Sequence, residues 1–138
     1  MTFQTLFFSK QFIKFLVAGG LAATINFSSR FIYSTFVDFS LAVILAFCTG
    51  LASGYVLAKL YVFGKSQNTT RQEIALYILI NLLALIQTWV ISILLANYML
   101  ATMVAQNLSE GIAHFVGVIS PVFTSFIGHK YLTFRQKL

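Results

Sequence analysis

Long apolar stretches separated by short polar connections make up nearly all of the chain. Four of the stretches reach the roughly 20 predominantly apolar residues that an α-helix needs to cross the hydrocarbon core of a membrane. They are residues 12–36, 40–63, 74–99 and 111–134. The pattern therefore predicts an all-α integral membrane protein with four transmembrane helices, in a single domain that spans residues 1–138.

Composition agrees with this prediction. Of the 138 residues, 59% are hydrophobic and only 9% are charged, whereas about 25% of the residues of an ordinary soluble domain are charged. The net charge of +6 first suggests a nucleic-acid partner. The basic residues lie at the ends of the apolar stretches rather than over one face, so we predict no nucleic acid.

The basic residues also predict the orientation of the helices. Eight of the nine flank the start of the first helix, the connection between the second and third, or the end of the fourth: Lys10, Lys14, Lys59, Lys65, Arg71, Lys130, Arg135 and Lys137. The other two connections hold Asp38 and Glu110 and neither Lys nor Arg. By the positive-inside rule, both termini and the central loop are predicted to be cytoplasmic. Arg30 is the one basic residue that does not lie on the predicted cytoplasmic side.

The chain also contains a predicted internal repeat. Residues 59–63 (Lys-Leu-Tyr-Val-Phe) match residues 130–134 (Lys-Tyr-Leu-Thr-Phe) at an offset of 71. The repeat units are residues 10–63 and 71–134. Because each unit has two spans, both enter the membrane from the same side, which makes the repeats tandem and parallel.

A stripe of small residues at every fourth position supports this offset. It comprises Ala42, Ala46, Gly50, Gly54 and Ala58 in the second helix, aligned with Ala113, Gly117, Pro121, Ser125 and His129 in the fourth. Small residues at this spacing let transmembrane helices approach closely. We therefore predict helix packing through the first five, with Gly117 and Ser125 serving the same purpose in the fourth helix.

Polar residues also lie at membrane depth. Ala18, Ala22, Asn26, Arg30 and Ser34 share one face of the first helix. An arginine in hydrocarbon costs at least about 2.5–3.5 kcal/mol. Arg30 lies six residues from the predicted end of its helix, about 9 Å. It therefore faces the bundle interior or a water-filled cavity, or else extends to the outer interface.

The remaining polar groups at depth are expected to make hydrogen bonds between helices. They are Asn81, Gln87, Thr88, Ser92 and Thr124, with Gln87 aligned to Asn26 at an offset of 61. His114 is expected to be a buried hydrogen-bonding residue, and the single cysteine, Cys48, a small buried residue.

Lys59, His129 and Lys130 close the second and fourth helices at the predicted cytoplasmic interface. They are interpreted either as topological anchors or as cations that hold an anionic lipid headgroup. The sequence has no metal-ligand spacing, no phosphate-binding glycine loop and no nucleophile–base pair. We therefore expect no metal, no cofactor and no enzymatic activity. The three acids lie at membrane edges, which argues against a proton-coupled exporter of cations.

These residues resemble the GtrA-like family, small four-helix bacterial proteins of cell-envelope polysaccharide synthesis. The resemblance covers residues 10–137. It rests on the opening Phe12-Ile-Lys-Phe-Leu-Val-Ala-Gly-Gly20 and on two helix ends of the form aromatic-x-x-x-Lys-x-aromatic-x-Phe. Tyr55, Lys59, Tyr61 and Phe63 form the first end, and Phe126, Lys130 and Phe134 the second. The chain departs from the family at Gly54 and Ala58, where many members have Asn, and at Leu132, which replaces an aromatic residue.

The resemblance implies translocation of a polyprenyl-phosphate-linked monosaccharide across the bacterial inner membrane, beside a membrane glycosyltransferase that makes this lipid. The candidate substrate-binding residues are Asn26, Arg30, Lys59, Gln87, His129 and Lys130. Two alternatives stay open, namely an adaptor that recruits or stabilises the glycosyltransferase without transport, and a small-molecule exporter. A homo-oligomer is compatible with so thin a bundle, and membrane lipid is an expected partner.

Overall fold

The computed structural model describes residues 6–99 and 105–135. It contains four long helices, which are α1 (Lys10–Tyr33), α2 (Phe39–Leu57), α3 (Thr70–Leu94) and α4 (Gln106–Gly128). Three of them continue into a turn of π-helix, at Ala58–Phe63, Leu95–Met99 and His129–Thr133. The described residues form no strand. All four helical segments are long and apolar enough to cross a membrane, so the predicted all-α membrane class is confirmed.

The helix bounds differ from the predicted spans mainly at their polar ends. α1 ends at Tyr33 instead of residue 36, and α3 and α4 begin at Thr70 and Gln106 instead of residues 74 and 111. The spans were predicted from apolar side chains, whereas a helix ends where its backbone hydrogen bonds end. Capping side chains help to set where a helix begins. Ser9 accepts a hydrogen bond from the Phe12 N–H at 3.1 Å, and Asp38 accepts one from the Leu41 N–H at 3.2 Å.

The described chain divides into two compact units. Unit 1 contains residues 6–70 together with 134–135, and unit 2 contains residues 71–99 and 105–133. The π-helical ends of α2 and α4 begin at Ala58 and His129, which are 71 residues apart, the offset of the predicted repeat. The repeat itself stays a prediction.

In unit 1, α1 and α2 approach closely at Gly50. A Cβ atom added to Gly50 would lie 2.7 Å from the Cβ of Asn26, so no larger residue fits there without movement of α1. The α2 small-residue stripe is buried along its whole length, at Ala42, Ala46, Gly50, Gly54 and Ala58. A hydrogen bond of 2.8 Å between the Tyr33 and Thr49 hydroxyls also joins the two helices.

In unit 2, α3 and α4 approach closely at Gly117. A Cβ atom there would lie 2.8 Å from the carbonyl oxygen of Thr88 and would also contact Ser92. Four residues on, Pro121 lacks the N–H that would bond the Gly117 carbonyl. The Ser120 hydroxyl donates to that carbonyl instead, at 3.2 Å, which allows a buried proline inside a membrane helix.

Two predicted burials are wrong. Cys48 and His114 are both exposed. Successive residues of an α-helix are separated by about 100°. Cys48 therefore points away from the stripe that contains Gly50, and His114 points away from Ala113, which is fully buried.

Candidate functional site

Arg30 lies in the last turn of α1, among three phenylalanine rings. Its guanidinium carbon is 3.9 Å from the ring centre of Phe31, 5.5 Å from that of Phe39 and 6.0 Å from that of Phe27. We call these four residues the Arg30 cluster. The rings are 52%, 66% and 65% exposed, respectively, whereas Arg30 is half-buried. Such cation–π contacts are worth about 0.5–2 kcal/mol each, depending on desolvation.

The observed end of α1 changes the predicted depth of Arg30. Three residues, or about 4.5 Å, separate it from Tyr33, the last residue of the helix. The Ser34 N–H closes the helix by bonding the Arg30 carbonyl at 2.9 Å. Arg30 is therefore nearer the edge of its span than the sequence suggests, and its charge is favourable at the negative C-terminal end of the helix dipole.

The polar face of α1 runs from this cluster towards the middle of the membrane. Along it, Ala18 is buried, Ala22, Asn26 and Arg30 are half-buried, and Ser34 is exposed. Asn26 packs against Gly50 of α2. Among the described residues, neither the Asn26 amide nor the Arg30 guanidinium makes a hydrogen bond or an ion pair. Unit 1 thus presents polar donors that its own packing does not use.

Lys59 lies near the opposite end of the unit 1 helix pair. Its ammonium donates to the Tyr55 hydroxyl at 3.4 Å, and Lys59 takes part in a further interaction. Rings stack beside it: Phe134 is 5.9 Å from Tyr55 and 5.0 Å from Phe63, centre to centre. The Lys59 ammonium is therefore partly engaged in the structure of this end.

Lys130 has different surroundings, at the π-helical end of α4 in unit 2. The side chain is 9% exposed, and its ammonium lies 5.6 Å and 5.8 Å from the ring centres of Phe126 and Tyr131. Within the described part of the chain, the ammonium has no hydrogen-bond acceptor and no carboxylate partner. A buried lysine stem with an unsatisfied ammonium is suited to an anionic ligand.

His129, the neighbour of Lys130, faces the interior of unit 2. It is 2% exposed, stacks on Tyr77 at 4.6 Å between ring centres, and shares a hydrogen bond of 3.1 Å with the Thr133 hydroxyl. These contacts give it a packing role, and they leave little of its surface for the headgroup contact proposed from sequence.

The predicted polar contacts of unit 2 have mixed outcomes. The Thr124 hydroxyl of α4 donates to the Gln87 amide oxygen of α3 at 2.8 Å, which is the expected bond between helices. Asn81 instead donates to the Tyr77 carbonyl of its own helix at 2.8 Å. The hydroxyl oxygen of Ser92 is buried against Gly117 and has no hydrogen-bond partner among the residues that the structure describes.

The structure therefore places the six candidate residues in three kinds of position within the two units. Arg30 and Asn26 lie together on α1, and Lys59 lies far from them along the same helix pair. Gln87 and His129 serve packing within unit 2, while Lys130 presents its charge. No group of three or more His, Cys, Asp or Glu side chains among the described residues could hold a metal ion.

The sequence analysis did not predict the phenylalanine rings that surround Arg30. Phe27 and Phe31, at positions i−3 and i+1 from Arg30, were a usable signal, because residues three apart are neighbours on a helix. Phe39 comes from α2, so its approach depends on the turn. Sequence reasoning also missed that Glu73, in the first turn of α3, is 2% exposed and has interactions of its own.

The fold and these cations define a multi-pass membrane protein with basic groups among aromatic rings at the ends of its helices. Residues 14–134 match the family model of the GtrA/DPMS transmembrane domain. The match covers most of the chain, so the protein belongs to this family and is a GtrA-like membrane protein of glycosylation-related processes that involve lipid-linked sugars. No curated protein matches the chain, and no solved structure does.

Proposed function

We propose that the protein translocates a polyprenyl-phosphate-linked monosaccharide across the bacterial inner membrane, supplied by a partner glycosyltransferase on the cytoplasmic side. The lipid consists of a long hydrocarbon chain, a phosphate and a polar sugar. Translocation moves the headgroup through the membrane while the chain stays in lipid, and it requires no bond to be made or broken. The family membership supports a role with lipid-linked sugars.

One observation in unit 1 carries the proposal: its helix pair has a basic side chain near each end. Asn26 packs opposite Gly50. Lys59 follows Gly50 by nine residues, and Arg30 follows Asn26 by four in the antiparallel neighbour. At about 1.5 Å per residue, Lys59 and Arg30 are roughly 20 Å apart along the helices. The Asn26 amide lies between them.

The chemistry of the headgroup fits this series of groups. A phosphate gains charge-assisted hydrogen bonds from lysine and arginine that are about twice as strong as neutral ones. With both termini cytoplasmic, Lys59 and Lys130 would receive the phosphate on the inner side, and Arg30 on the outer side. Asn26 would offer its amide to the headgroup during passage.

Reconstituted protein tests the proposal directly. Purified protein in liposomes is given a fluorescent polyprenyl-phosphate sugar, and a membrane-impermeant reagent reports how much of the lipid has changed leaflet. We expect faster translocation than in protein-free liposomes, and slower translocation with Arg30→Ala or Lys130→Ala. Wild-type protein that leaves the protein-free rate unchanged would contradict translocation.

A cell-based arm separates transport from recruitment. Variants inserted at wild-type levels are scored for surface glycosylation, together with the amount of partner glycosyltransferase in the membrane. Loss of glycosylation with an unchanged transferase level supports translocation. Loss of the transferase itself, with no movement of lipid in liposomes, would instead indicate the adaptor role.

A further inference from the structure

We propose that the start of α1 is a binding site for an anionic glycerophospholipid of the surrounding bilayer, held at its headgroup by Lys10 and Lys14 beside the ring of Tyr61. We call these three residues the Lys14 cluster. The cluster belongs to unit 1 and lies at the opposite end of α1 from Arg30. It takes no part in the proposed translocation, and the lipid that it binds is a resident of the membrane.

The two lysines form a patch of positive charge without an acidic partner. Lys10 is the first residue of α1 and Lys14 follows one turn later, so both lie on the same face of the helix. Both are exposed, and neither ammonium has an acceptor within residues 6–99 and 105–135. Residues 1–70 and 134–138 contain a single acidic side chain, that of Asp38, which caps α2 at the other end of the helix pair.

The helix dipole adds to this positive potential. The first turn of α1 contains no acidic residue, and Lys10 lies at the positive end of the dipole, where a cation is unfavourable by about 0.3–1 kcal/mol. An anion bound there would interact favourably with both ammonium groups and with the dipole. The start of α1 is therefore suited to an anion that the described residues do not supply.

Tyr61 adds a ring and a hydroxyl to the two cations. The Lys14 ammonium lies 5.0 Å from the centre of the Tyr61 ring. The tyrosine is 48% exposed, and its hydroxyl has no hydrogen-bond partner in the part of the chain that the structure describes. Tyrosine side chains are enriched at the level of the lipid headgroups, so this hydroxyl is placed to bond a headgroup oxygen.

Packing between α1 and the π-helical end of α2 positions the cluster. The Gln11 amide donates to the Val62 carbonyl at 3.3 Å, which satisfies an acceptor at the helix end. Phe15 and Phe63 pack with their ring centres 6.2 Å apart. The approach of Lys14 to Tyr61 is therefore fixed by neighbours on both sides of each residue.

The depth of the cluster indicates which lipid fits. Lys10 and Lys14 are about 6 Å apart along α1, and exposed apolar side chains follow towards the middle of the membrane, at Ile13, Leu16 and Val17. In a glycerophospholipid, the phosphodiester, glycerol and ester groups form a polar layer above the acyl chains. A prenyl phosphate lacks this layer, and a choline headgroup would bring a cation to the lysines. Basic groups on the cytoplasmic side of membrane helices bind anionic headgroups in this way.

The predicted repeat gives an internal comparison. The residue aligned with Lys14 at an offset of 61 is Ala75, and the residue aligned with Tyr61 at an offset of 71 is Leu132. Unit 2 thus keeps a cation only at the position of Lys10. A site of this kind therefore belongs to unit 1 alone.

Photocrosslinking provides the test. Full-length protein in phosphatidylcholine nanodiscs is given a small fraction of phosphatidylglycerol with a diazirine near the start of one acyl chain, and crosslinked residues are mapped by mass spectrometry. We expect crosslinks within residues 10–17 that Lys14→Gln weakens by about fivefold, or about 1 kcal/mol for one lysine beside an anionic lipid. Lys14→Arg keeps the charge and should retain most of the crosslinks.

Two further variants make the result specific. Tyr61→Leu introduces the residue that unit 2 has at the aligned position and should weaken the crosslinks by about threefold, the value of one exposed cation–π contact. Lys65→Gln is the matched control, because it removes an exposed lysine of the connection after α2 that lies outside the cluster. It should leave the crosslinks within residues 10–17 unchanged. Unlabelled phosphatidylglycerol should compete, whereas an equal mole fraction of farnesyl phosphate should compete weakly.

Three outcomes would overturn the site. Lys14→Gln that crosslinks as strongly as wild type would show that the lysine holds no headgroup. Equal losses for Lys65→Gln and Lys14→Gln would show that net charge alone attracts the lipid. Farnesyl phosphate that competes as well as phosphatidylglycerol would assign the Lys14 cluster to a prenyl phosphate instead. Melting temperatures of the variants equal to that of wild type show that each change acts on lipid binding and not on folding.

Discussion

The two helix pairs use their polar residues differently. Unit 1 has Lys59 near one end and Arg30 near the other, with the Asn26 amide between them. Unit 2 has basic residues at one end only, and its mid-membrane amide, Gln87, is bonded to Thr124. Unit 2 also buries the His129 side chain, whereas the aligned residue of unit 1 in the predicted repeat is Ala58. Unit 2 thus uses its mid-membrane amide for its own packing, whereas the Asn26 amide and the Arg30 guanidinium of unit 1 make no hydrogen bond within residues 6–99 and 105–135.

The comparison also suggests why two similar pairs occur in one chain. A group that binds a headgroup must keep its hydrogen-bond donors unsatisfied in the empty protein, at a cost in stability. A helix pair whose polar groups are satisfied has no such cost. Unit 2 satisfies its mid-membrane amide through the bond between Thr124 and Gln87. Its groups without a hydrogen-bond partner among the described residues include the buried Ser92 oxygen and the Lys130 ammonium.

The largest expected effect lies at His129. Replacing His129 by Ala removes a buried ring stacked on Tyr77, and we expect it to lower the free energy of unfolding by about 2–4 kcal/mol. His129→Phe keeps a ring of similar shape and should recover more than half of this loss. Denaturation in mixed detergent micelles measures both.

Translocation by His129→Phe separates packing from ligand binding. A variant as stable as wild type with normal translocation confirms that the histidine packs unit 2. Normal stability with lost translocation would make His129 a ligand-binding residue and would remove this difference between the units.

The next largest effects are expected at the close contacts between helices. Gly117→Ala places a methyl group against the Thr88 carbonyl, and a backbone atom cannot move aside, so we expect a loss of about 1–3 kcal/mol. Gly50→Ala places its methyl group 2.7 Å from the Asn26 Cβ, which rotation of the amide does not move, so it should cost about as much. Gly19→Ala is the matched control, since its methyl group would meet nothing within 4 Å. Equal melting temperatures for Gly19→Ala and Gly117→Ala would show that the helices do not approach closely.

The two lysines should separate stability from transport. Lys130→Gln removes a cation without an acceptor among the described residues, so we expect translocation about tenfold slower at an unchanged melting temperature. Lys59→Gln breaks the bond to Tyr55 and should lower the melting temperature as well. Both quantities are measured on the same preparations. If Lys130→Gln unfolds the protein and Lys59→Gln changes only transport, the assignment is reversed.

Much of this arrangement could be read from the sequence, for physical reasons that differ by feature. The four spans follow from hydropathy alone, because hydrocarbon excludes polar side chains over a fixed thickness. The buried stripe follows from its four-residue spacing. The end of α1 could not be predicted, since it depends on backbone hydrogen bonds at Ser34, and this changed the depth assigned to Arg30.

Contacts within the site were harder to predict. The basic residues were found because charge at membrane depth is costly and conspicuous. The different surroundings of Lys59 and Lys130 could not be predicted. The two residues occupy aligned positions, and they differ only in the neighbours that packing brings close to them. The stacking of His129 on Tyr77 joins residues 52 positions apart, a pairing that no local pattern specifies.

The smallest expected effect concerns a hydrogen bond between two side chains that joins the helices of each pair. Thr124 and Gln87 form it in unit 2, and Tyr33 and Thr49 form it in unit 1. Double-mutant cycles with Thr124→Val and Gln87→Leu, and with Tyr33→Phe and Thr49→Ala, should each give a coupling of about 0.6 kcal/mol. Such bonds are weak in membranes because the separated helices also find partners. A coupling above about 2 kcal/mol in unit 2 alone would mean that Gln87 is held for a purpose beyond packing, and it would then regain its place beside Asn26 as a candidate ligand-binding amide.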